Sequence, residues 1–105
     1  MVVAVVPVSI PVLRGLAGTF RGKVFEIRAT VRLGRHPYND LSVADPAVSR
    51  YHCWITCRDG SPVLEDLASG NGTYLNGLRI QGRAALKRGD RILLGSTEFV
   101  FSERE

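Results

Sequence analysis

Three short polar segments of this sequence contain residue types that can bind an anion together. They are Gly34-Arg35, Ser49-Arg50-Tyr51-His52 and the stretch from Ser69 to Gly77, and none of them contains an acidic residue. An Arg guanidinium is a planar fork of N–H donors that fits two oxygens of one phosphate, and a Ser hydroxyl offers a further donor. Each segment lies in a turn-rich stretch beside a strand-like run, where a rigid scaffold presents side chains outward. The pattern therefore predicts an anion site built from loops.

The order and spacing of these residues resemble those of one known family. The pattern G-R, then S-x-x-H, then N-G-T-x-x-N-G is similar to the forkhead-associated (FHA) family of phosphothreonine-binding modules, and the resemblance extends from Arg14 to Phe101. It implies an antiparallel two-sheet β-sandwich of about eleven strands, of the FHA/SMAD type. It also implies a binding module rather than an enzyme, with no catalytic residues, no cofactor and no metal.

The resemblance implies that Arg35, Ser49 and Arg50 bind the phosphate. Arg35 would make the main contact, and Gly34 would allow a tight backbone turn that directs it. Ser49 would contribute its hydroxyl, and Arg50 would add a third contact because that position in the family often reaches the phosphate. Without the resemblance, each residue also has an ordinary structural interpretation. Arg35 fits a solvated charge at the end of a strand, and Ser49 fits a turn residue.

The segment around Asn71 would bind the main chain of the ligand. An amide side chain can both donate to and accept from an extended peptide backbone, which is the role that the resemblance implies for Asn71. Asn71 also fits a turn residue in a left-handed conformation beside Gly72. The position before it, a phosphate-contacting Ser or Thr in the family, is Gly70 here. Losing that hydroxyl costs roughly 1.5 to 3 kcal/mol, unless water or the Gly70 N–H takes its place on the phosphate.

Five residues are expected to support the site structurally: Gly72, Thr73, Asn76, Gly77 and His52. The imidazole of His52 would hydrogen-bond within its loop and hold the turn that carries Ser49. Asn76-Gly77 is also a strong hairpin signal. Ser49, His52 and Asp66 contain the ingredients of a hydrolase triad, but nothing in the sequence resembles the strained G-x-S-x-G elbow that such a nucleophile needs. We therefore expect no catalysis.

Alternation of apolar and polar residues recurs along the chain and predicts β-strands. The strand-like runs are 24–27, 53–57, 63–67, 91–94 and 98–101. Turn signals at 58–62, 76–77 and 88–90 separate them by about 8 to 12 residues, as in a sandwich or barrel. No segment keeps a helical period for three turns, so the prediction is antiparallel all-β. The residues expected to face the core are Phe20, Val24, Ile27, Val31, Leu33, Leu41, Val48, Cys53, Ile55, Leu64, Leu75, Ile92, Leu94, Phe99 and Phe101.

The length of 105 residues suits a single domain, 1–105, with its own hydrophobic core. We expect residues 13–101 to form the core of this domain and residues 1–12 an N-terminal strand or linker stub. The apolar run 1–6 is followed closely by Pro7 and Pro11 and cannot reach the ~20 residues of a membrane span. It also lacks the preceding basic residues of a secretory signal. Modules of this family usually sit inside longer chains, so we expect a larger multidomain protein that does not enter a membrane.

The two cysteines, Cys53 and Cys57, lie four apart in one strand-like run. At ~3.3 Å per residue they would be about 13 Å apart, which is too far for a disulfide. We expect buried free thiols and therefore a reducing, cytoplasmic setting. A zinc site with His52 is disfavoured, because alternation along the strand places His52 on the opposite face from both thiols.

The implied partner is a phosphothreonine-containing protein or peptide, such as a substrate of a Ser/Thr kinase. Two alternatives stay open. Gly70 leaves room for a degenerate FHA domain that docks a partner independently of phosphate. The second alternative is a nucleic-acid-binding domain, which a net charge of +4 and a sequence pI near 9.6 would suit. The basic group would consist of Arg83, Lys87, Arg88 and Arg91. That group lacks interleaved aromatic residues for base stacking, which disfavours nucleic acid.

Overall fold

The chain folds as a β-sandwich in the computed structural model, which describes residues 9–58 and 60–104. The described strands are β1 (Ile10–Ala17), β2 (Val24–Glu26), β3 (Thr30–Gly34), β4 (Leu41–Ser42), β5 (Cys53–Arg58), β6 (Ser61–Asp66), β7 (Tyr74–Leu75), β8 (Leu78–Arg79), β9 (Arg83–Ala85), β10 (Arg91–Leu94) and β11 (Thr97–Arg104). Within these ranges no helix is long and apolar enough to cross a membrane. The predicted all-β, two-sheet fold is confirmed.

The strands form a six-stranded sheet of order β2-β1-β11-β10-β7-β8 and a five-stranded sheet of order β4-β3-β5-β6-β9. The β3–β4 pair is parallel, with Leu33 opposite Leu41, whereas the other described pairs are antiparallel. The two sheets are therefore mostly antiparallel, as predicted, with this one parallel pair among the described strands. The loop 35–40 turns back on itself, so that β4 runs beside the end of β3 in the same direction.

The core lies between the two sheets and is made of aliphatic and aromatic side chains from both. Phe99 and Phe101 on β11 are fully buried, because alternate residues of a strand face the same side. Most of the expected core positions are buried, while Phe20 and Leu75 are partly buried and pack against the core. Four buried hydrophobic residues of the described chain were not predicted: Val12, Leu13, Val43 and Leu86.

Val24 is the exception among the expected core positions, since 40% of it is exposed. Strand β2 pairs with β1 so that Val24 lies opposite Arg14 and Phe25 lies opposite Leu13. Leu13 is buried and Arg14 is exposed, so this register turns Phe25 toward the core and Val24 toward solvent. The prediction assigned the wrong face of this strand to the core.

The sheet extends beyond residues 13–101 at both ends. Strand β1 begins at Ile10 and pairs with β11 as far as Arg104. Val12 is fully buried, although it was expected to belong to an N-terminal strand or stub. The first eight residues, including the apolar run 1–6, lie outside the described residues. For this part of the chain, the expected N-terminal strand or linker stub stays a prediction.

Both cysteines are free thiols, as predicted, but they differ in burial. Cys53 is fully buried, and its burial raises the pKa of the thiol to about 12. Cys57 is half-buried, and partial burial again raises the pKa of the thiol. Among the residues with a described placement, no three His, Cys, Asp or Glu side chains form a group that could hold a metal.

The central position of β5 brings three loops to one rim of the sandwich. Cys53, the first residue of β5, pairs with Leu33 near the end of β3 and with Asp66 at the end of β6. The loops that follow β3, precede β5 and follow β6 therefore start from neighbouring points. We call them the Arg35 loop (35–40), the Ser49 loop (43–52) and the Asn71 loop (67–73).

Candidate functional site

Arg35 is attached to the Ser49 loop through its backbone and its side chain. Its N–H donates to the carbonyl oxygen of Ser49 at 2.9 Å, and its side-chain Nε donates to the carbonyl oxygen of Val48 at 3.1 Å. The residue is exposed, and the ion pairs among described residues do not involve it. The Nε contact fixes the direction of the guanidinium, while its two terminal nitrogens face no carboxylate of the described chain. They can therefore bind an anion bidentately.

Gly34 is needed for a close backbone approach. A Cβ built on Gly34 would collide with the carbonyl oxygen of Arg50 and would lie 2.8 Å from Nδ2 of Asn39. Gly34 is not among the residues with positive φ, so the expected tight turn is not the reason for a glycine at this position. The reason is that the end of β3 packs directly against the Ser49 loop.

Asn39 holds the same junction from the other side. Its buried side-chain amide donates to the carbonyl oxygens of His36 at 2.8 Å and of Arg50 at 2.7 Å. The N–H of His36 donates to the Arg50 carbonyl as well, at 3.1 Å. These bonds close the Arg35 loop and fix it to the Ser49 loop.

Ser49 joins the second loop to the third. The N–H of Gly70 donates to Ser49 Oγ at 3.0 Å, and the backbone N–H of Ser49 donates to Nδ1 of His52, also at 3.0 Å. As Oγ accepts from Gly70, its own hydroxyl hydrogen is left to donate to a ligand. The Ser49 N–H is used inside the loop, so only the hydroxyl of Ser49 is free for a ligand.

His52 is fully buried and connects the Ser49 loop with the Asn71 loop. Its Nδ1 accepts from the Ser49 N–H, so Nε2 must carry the proton that is donated to the Gly72 carbonyl oxygen at 2.8 Å. The imidazole therefore has no free nitrogen. It cannot act as a base toward Ser49 Oγ, which excludes a Ser49–His52–Asp66 hydrolase triad in this geometry.

Asn71 is exposed at the rim and reaches across to the Ser49 loop. Its Nδ2 donates to the carbonyl oxygen of Ala47 at 2.8 Å. The alternative interpretation, a left-handed turn residue, is wrong, because the positive φ of 91° belongs to Gly72 and not to Asn71. Among the described residues, no hydrogen bond uses Oδ1 of Asn71. This oxygen can accept an N–H from an extended peptide.

Gly70 does not offer a free N–H to a phosphate, contrary to its predicted role as a replacement ligand. Its single amide hydrogen is donated to Ser49 Oγ. A Cβ at this position would have open space, with Ser49 Oγ as its nearest neighbour at 3.9 Å. The hydroxyl that the FHA resemblance leads one to expect here is missing, although the backbone has room for it.

The Asn71 loop is built around the carboxylate of Asp66. Ser69 Oγ donates to Oδ1 of Asp66 at 2.5 Å, Thr73 Oγ1 donates to the same oxygen at 2.7 Å, and the Ser69 N–H donates to Oδ2 at 3.1 Å. Burial raises the pKa of Asp66, but these hydrogen bonds outweigh it and bring the pKa below its usual value. Asp66 therefore acts as the ionised centre of the loop, and Thr73, which is fully buried, is a structural residue.

In the described part of the chain, three of the predicted site residues, Arg50, Asn76 and Gly77, are not tied by hydrogen bonds of their side chains to the three loops of the rim. Arg50 is exposed near the rim, and its side chain has no hydrogen bond or ion pair with the described chain. Asn76 and Gly77 form the β7–β8 turn, with φ values of 51° and 84°. Asn76 bonds to Asp90 at 3.0 Å and to the Arg91 N–H at 2.9 Å, so it supports the hairpin rather than the Arg35 and Ser49 loops.

The structural roles of Asn39, Asp66 and Ser69 were not predicted from the sequence. A local signal existed for the last two, because an Asp followed three residues later by a Ser is typical of a turn closed by the carboxylate. An Asn in a loop such as 35–40 fits a turn residue on local grounds. The second bond of Asn39, to Arg50, spans eleven residues and has no local signature.

The part of the chain that forms this rim matches a known protein family. The family model described as FHA domain matches residues 31–95, which include the Arg35, Ser49 and Asn71 loops. The chain belongs to the FHA family. This FHA domain is 38% identical over 76 residues to the oxoglutarate dehydrogenase inhibitor of Corynebacterium diphtheriae, covering 72% of the chain and 52% of that protein. It is 36% identical over 72 residues to the glycogen accumulation regulator GarA of Mycolicibacterium smegmatis, covering 69% of the chain and 45% of that protein.

Solved structures resemble the FHA domain over nearly its whole length. Mycobacterium tuberculosis EmbR in complex with a low-affinity phosphopeptide has a TM-score of 0.81 at 30% identity, covering 89% of this chain and 24% of EmbR. An FHA domain from Chlamydia trachomatis has a TM-score of 0.85 at 29% identity and covers 91% of this chain and 99% of that one. A structure from a study of phosphothreonine-dependent FHA domain interactions has a TM-score of 0.82 at 28% identity, with 91% and 98% covered. The FHA domain spans about half the length of the two relatives named above.

Proposed function

We propose that this FHA domain binds a phosphothreonine-containing segment of a partner protein, as an interaction module in Ser/Thr kinase signalling. The observation that carries the proposal is the convergence of Arg35, Ser49 and Asn71 at one rim. Arg35 bonds to the backbone at Val48 and Ser49, and Asn71 bonds to Ala47 in the same loop. Phosphopeptide binding by similar domains supports the proposal.

The roles follow from the free hydrogen-bonding groups. The terminal nitrogens of Arg35 bind two phosphate oxygens, and the Ser49 hydroxyl donates to a third. Arg50, an exposed cation next to Ser49, adds a further contact to the phosphate. Oδ1 of Asn71 accepts a main-chain N–H of the ligand beside the phosphothreonine. The site uses no metal, cofactor or nucleophile in this proposal.

Phosphate-independent docking is the second candidate, and Gly70 is the observation that favours it. The phosphate would lack one hydroxyl ligand because Gly70 has no side chain. The Gly70 N–H does not replace that ligand, since it is already bound to Ser49 Oγ. Nucleic-acid binding has less support. Arg88 pairs with Glu103 at 3.2 Å and Arg91 with Glu98 at 3.7 Å, so two members of the basic group are partly neutralised.

Isothermal titration calorimetry with a synthetic peptide in phosphothreonine, phosphoserine and unmodified forms tests the proposal. We expect measurable binding of the phosphothreonine form and none of the unmodified form. Arg35→Ala should abolish that binding, whereas Arg58→Ala should not, because Arg58 is an exposed arginine at the opposite end of β5. Equal binding of the modified and unmodified peptides would reject the proposal and favour phosphate-independent docking.

We further infer that Ile10–Arg104 form one domain and that this domain works within a longer protein in the cytoplasm. The relatives support a longer protein, since the domain spans 52% of one and 45% of another. Free cysteines fit a reducing compartment. Fluorescence microscopy of the tagged natural protein tests the cytoplasmic location. Mass spectrometry of the intact natural protein tests whether the domain belongs to a longer chain.

A further inference from the structure

The guanidinium of Arg79 lies directly over Gly72 in the Asn71 loop. A Cβ built on Gly72 would be 2.5 Å from Nε of Arg79 and 3.0 Å from its Cζ, although Arg79 is seven residues further along the chain. A side chain at this position would have to displace the guanidinium of Arg79. Gly72 directly follows Asn71, whose amide we assign to the peptide backbone. Arg79 is therefore a cation beside the residue that would hold the ligand's main chain.

The β7–β8 hairpin fixes this position through the backbone. Its two-residue turn, Asn76-Gly77, places Tyr74 opposite Arg79, and the Ile80 N–H donates to the Thr73 carbonyl oxygen at 3.0 Å. These pairings hold Arg79 next to the end of the Asn71 loop. The location of its Cα does not depend on the rotamer of the long side chain.

The charge of Arg79 is not used inside the described chain. The residue is exposed, and neither the ion pairs nor the side-chain hydrogen bonds of residues 9–58 and 60–104 include it. The two acids that bond to residues in or beside this hairpin have other partners: Asp66 accepts from Ser69 and Thr73, and Asp90 accepts from Asn76 and the Lys87 N–H. No carboxylate of residues 9–58 and 60–104 pairs with Arg79, so its guanidinium can accept an acidic group of a ligand as partner.

We propose that Arg79 is a specificity residue that binds an acidic side chain of the phosphopeptide, close to the phosphothreonine on the Asn71 side. The inference depends on the proposed phosphopeptide function and adds a sequence preference to it. A carboxylate of Asp or Glu on the peptide accepts hydrogen bonds from the guanidinium while Asn71 holds the adjacent main chain. The exposed setting makes the pair modest in strength, so it selects among phosphopeptides rather than providing the main affinity.

Seven synthetic phosphothreonine peptides test this inference by isothermal titration calorimetry. One has alanine at the three positions on each side of the phosphothreonine, and each of the other six has a single Asp at one of these positions. We expect one or two Asp peptides to bind about three- to tenfold more tightly than the alanine peptide. Arg79→Ala should remove that advantage and leave the affinity for the alanine peptide unchanged. Arg79→Lys should retain part of the advantage.

Charge reversal and a matched control complete the experiment. Arg79→Glu should prefer Lys at the position where the wild type prefers Asp, whereas Arg58→Ala should keep the wild-type profile. An Asp preference that persists in Arg79→Ala and Arg79→Glu, or no preference in the wild type, would overturn the inference and leave the proposed function intact. Failure of the wild type to bind any of the seven phosphopeptides would overturn the proposed function and this inference with it.

Discussion

The buried imidazole of His52 lies 2.8 Å from the carbonyl oxygen of Gly72, and this contact joins the Ser49 loop to the Asn71 loop through the interior. The other ring nitrogen accepts from the Ser49 N–H at 3.0 Å. One neutral side chain therefore holds two of the three loops that form the rim. The distance between Asn71 and Ser49, a proposed phosphate-binding residue, therefore depends on a side chain that is fully buried.

Replacing this histidine should weaken both the fold and the site. We expect His52→Ala to lower the free energy of unfolding by about 2 to 4 kcal/mol, because it leaves a cavity and two buried polar groups without partners. Urea denaturation measures the stability. Calorimetry well below the melting temperature should show weaker phosphopeptide binding by the folded fraction. Arg35→Ala is the control and should lose binding with little loss of stability; a fully stable His52→Ala variant would contradict the assigned role.

A side chain on Gly34 should be tolerated much less well than one on Gly70. Gly34→Ala forces the added methyl group against the Arg50 carbonyl and Nδ2 of Asn39, so we expect a loss of about 1 to 3 kcal/mol in unfolding free energy. Gly70→Ala, with 3.9 Å to its nearest neighbour, should be close to neutral. Thermal and urea unfolding of the two variants measure the difference. Equal stability would show that the close approach of β3 and the Ser49 loop is unimportant.

Adding the missing hydroxyl at position 70 should strengthen phosphate binding. Ser or Thr there can donate to the phosphate, and a hydrogen bond to a charged group is worth about 1.5 to 3 kcal/mol, which corresponds to roughly ten- to a hundredfold in affinity. Calorimetry with the phosphothreonine peptide would compare Gly70→Ser and Gly70→Thr with the wild type. Gly70→Ala fills the same space without a hydroxyl and should bind like the wild type. If Gly70→Ser gains nothing, the phosphate does not reach this position.

Binding and folding should respond to acid in different pH ranges. The phosphate loses its second charge near pH 6, so phosphopeptide affinity should fall between about pH 7 and 5. The pKa of Asp66 is below its usual value in the folded protein. Its stabilising contribution is therefore present above the unfolded pKa, near 4, and is lost as pH falls through the lower folded pKa. Fluorescence anisotropy of labelled peptide and circular dichroism should separate the two transitions; simultaneous loss would contradict this order.

Strand positions, turn residues and family membership could be predicted from the sequence. Period-two alternation located most strands, and Asn76-Gly77 predicted a hairpin whose two residues indeed have positive φ. The spacing of Arg35, Ser49 and Asn71 identified the family that the matching model confirms. These features are readable because turn type and strand period depend on residues that are adjacent in the chain.

The contacts that hold the three loops together, and the hydrogen-bonding groups that remain free for a ligand, could not be predicted without the three-dimensional structure. The reason for a glycine at position 34 is the carbonyl of Arg50, and the Gly70 N–H is used by Ser49, twenty-one residues away. Val24 faces solvent because of its register with β1. The proposed role of Arg79 in peptide specificity depends on the β7–β8 hairpin, which places the Arg79 side chain next to Gly72. Each of these depends on which distant backbone groups pack together, and no residue's local sequence carries that information.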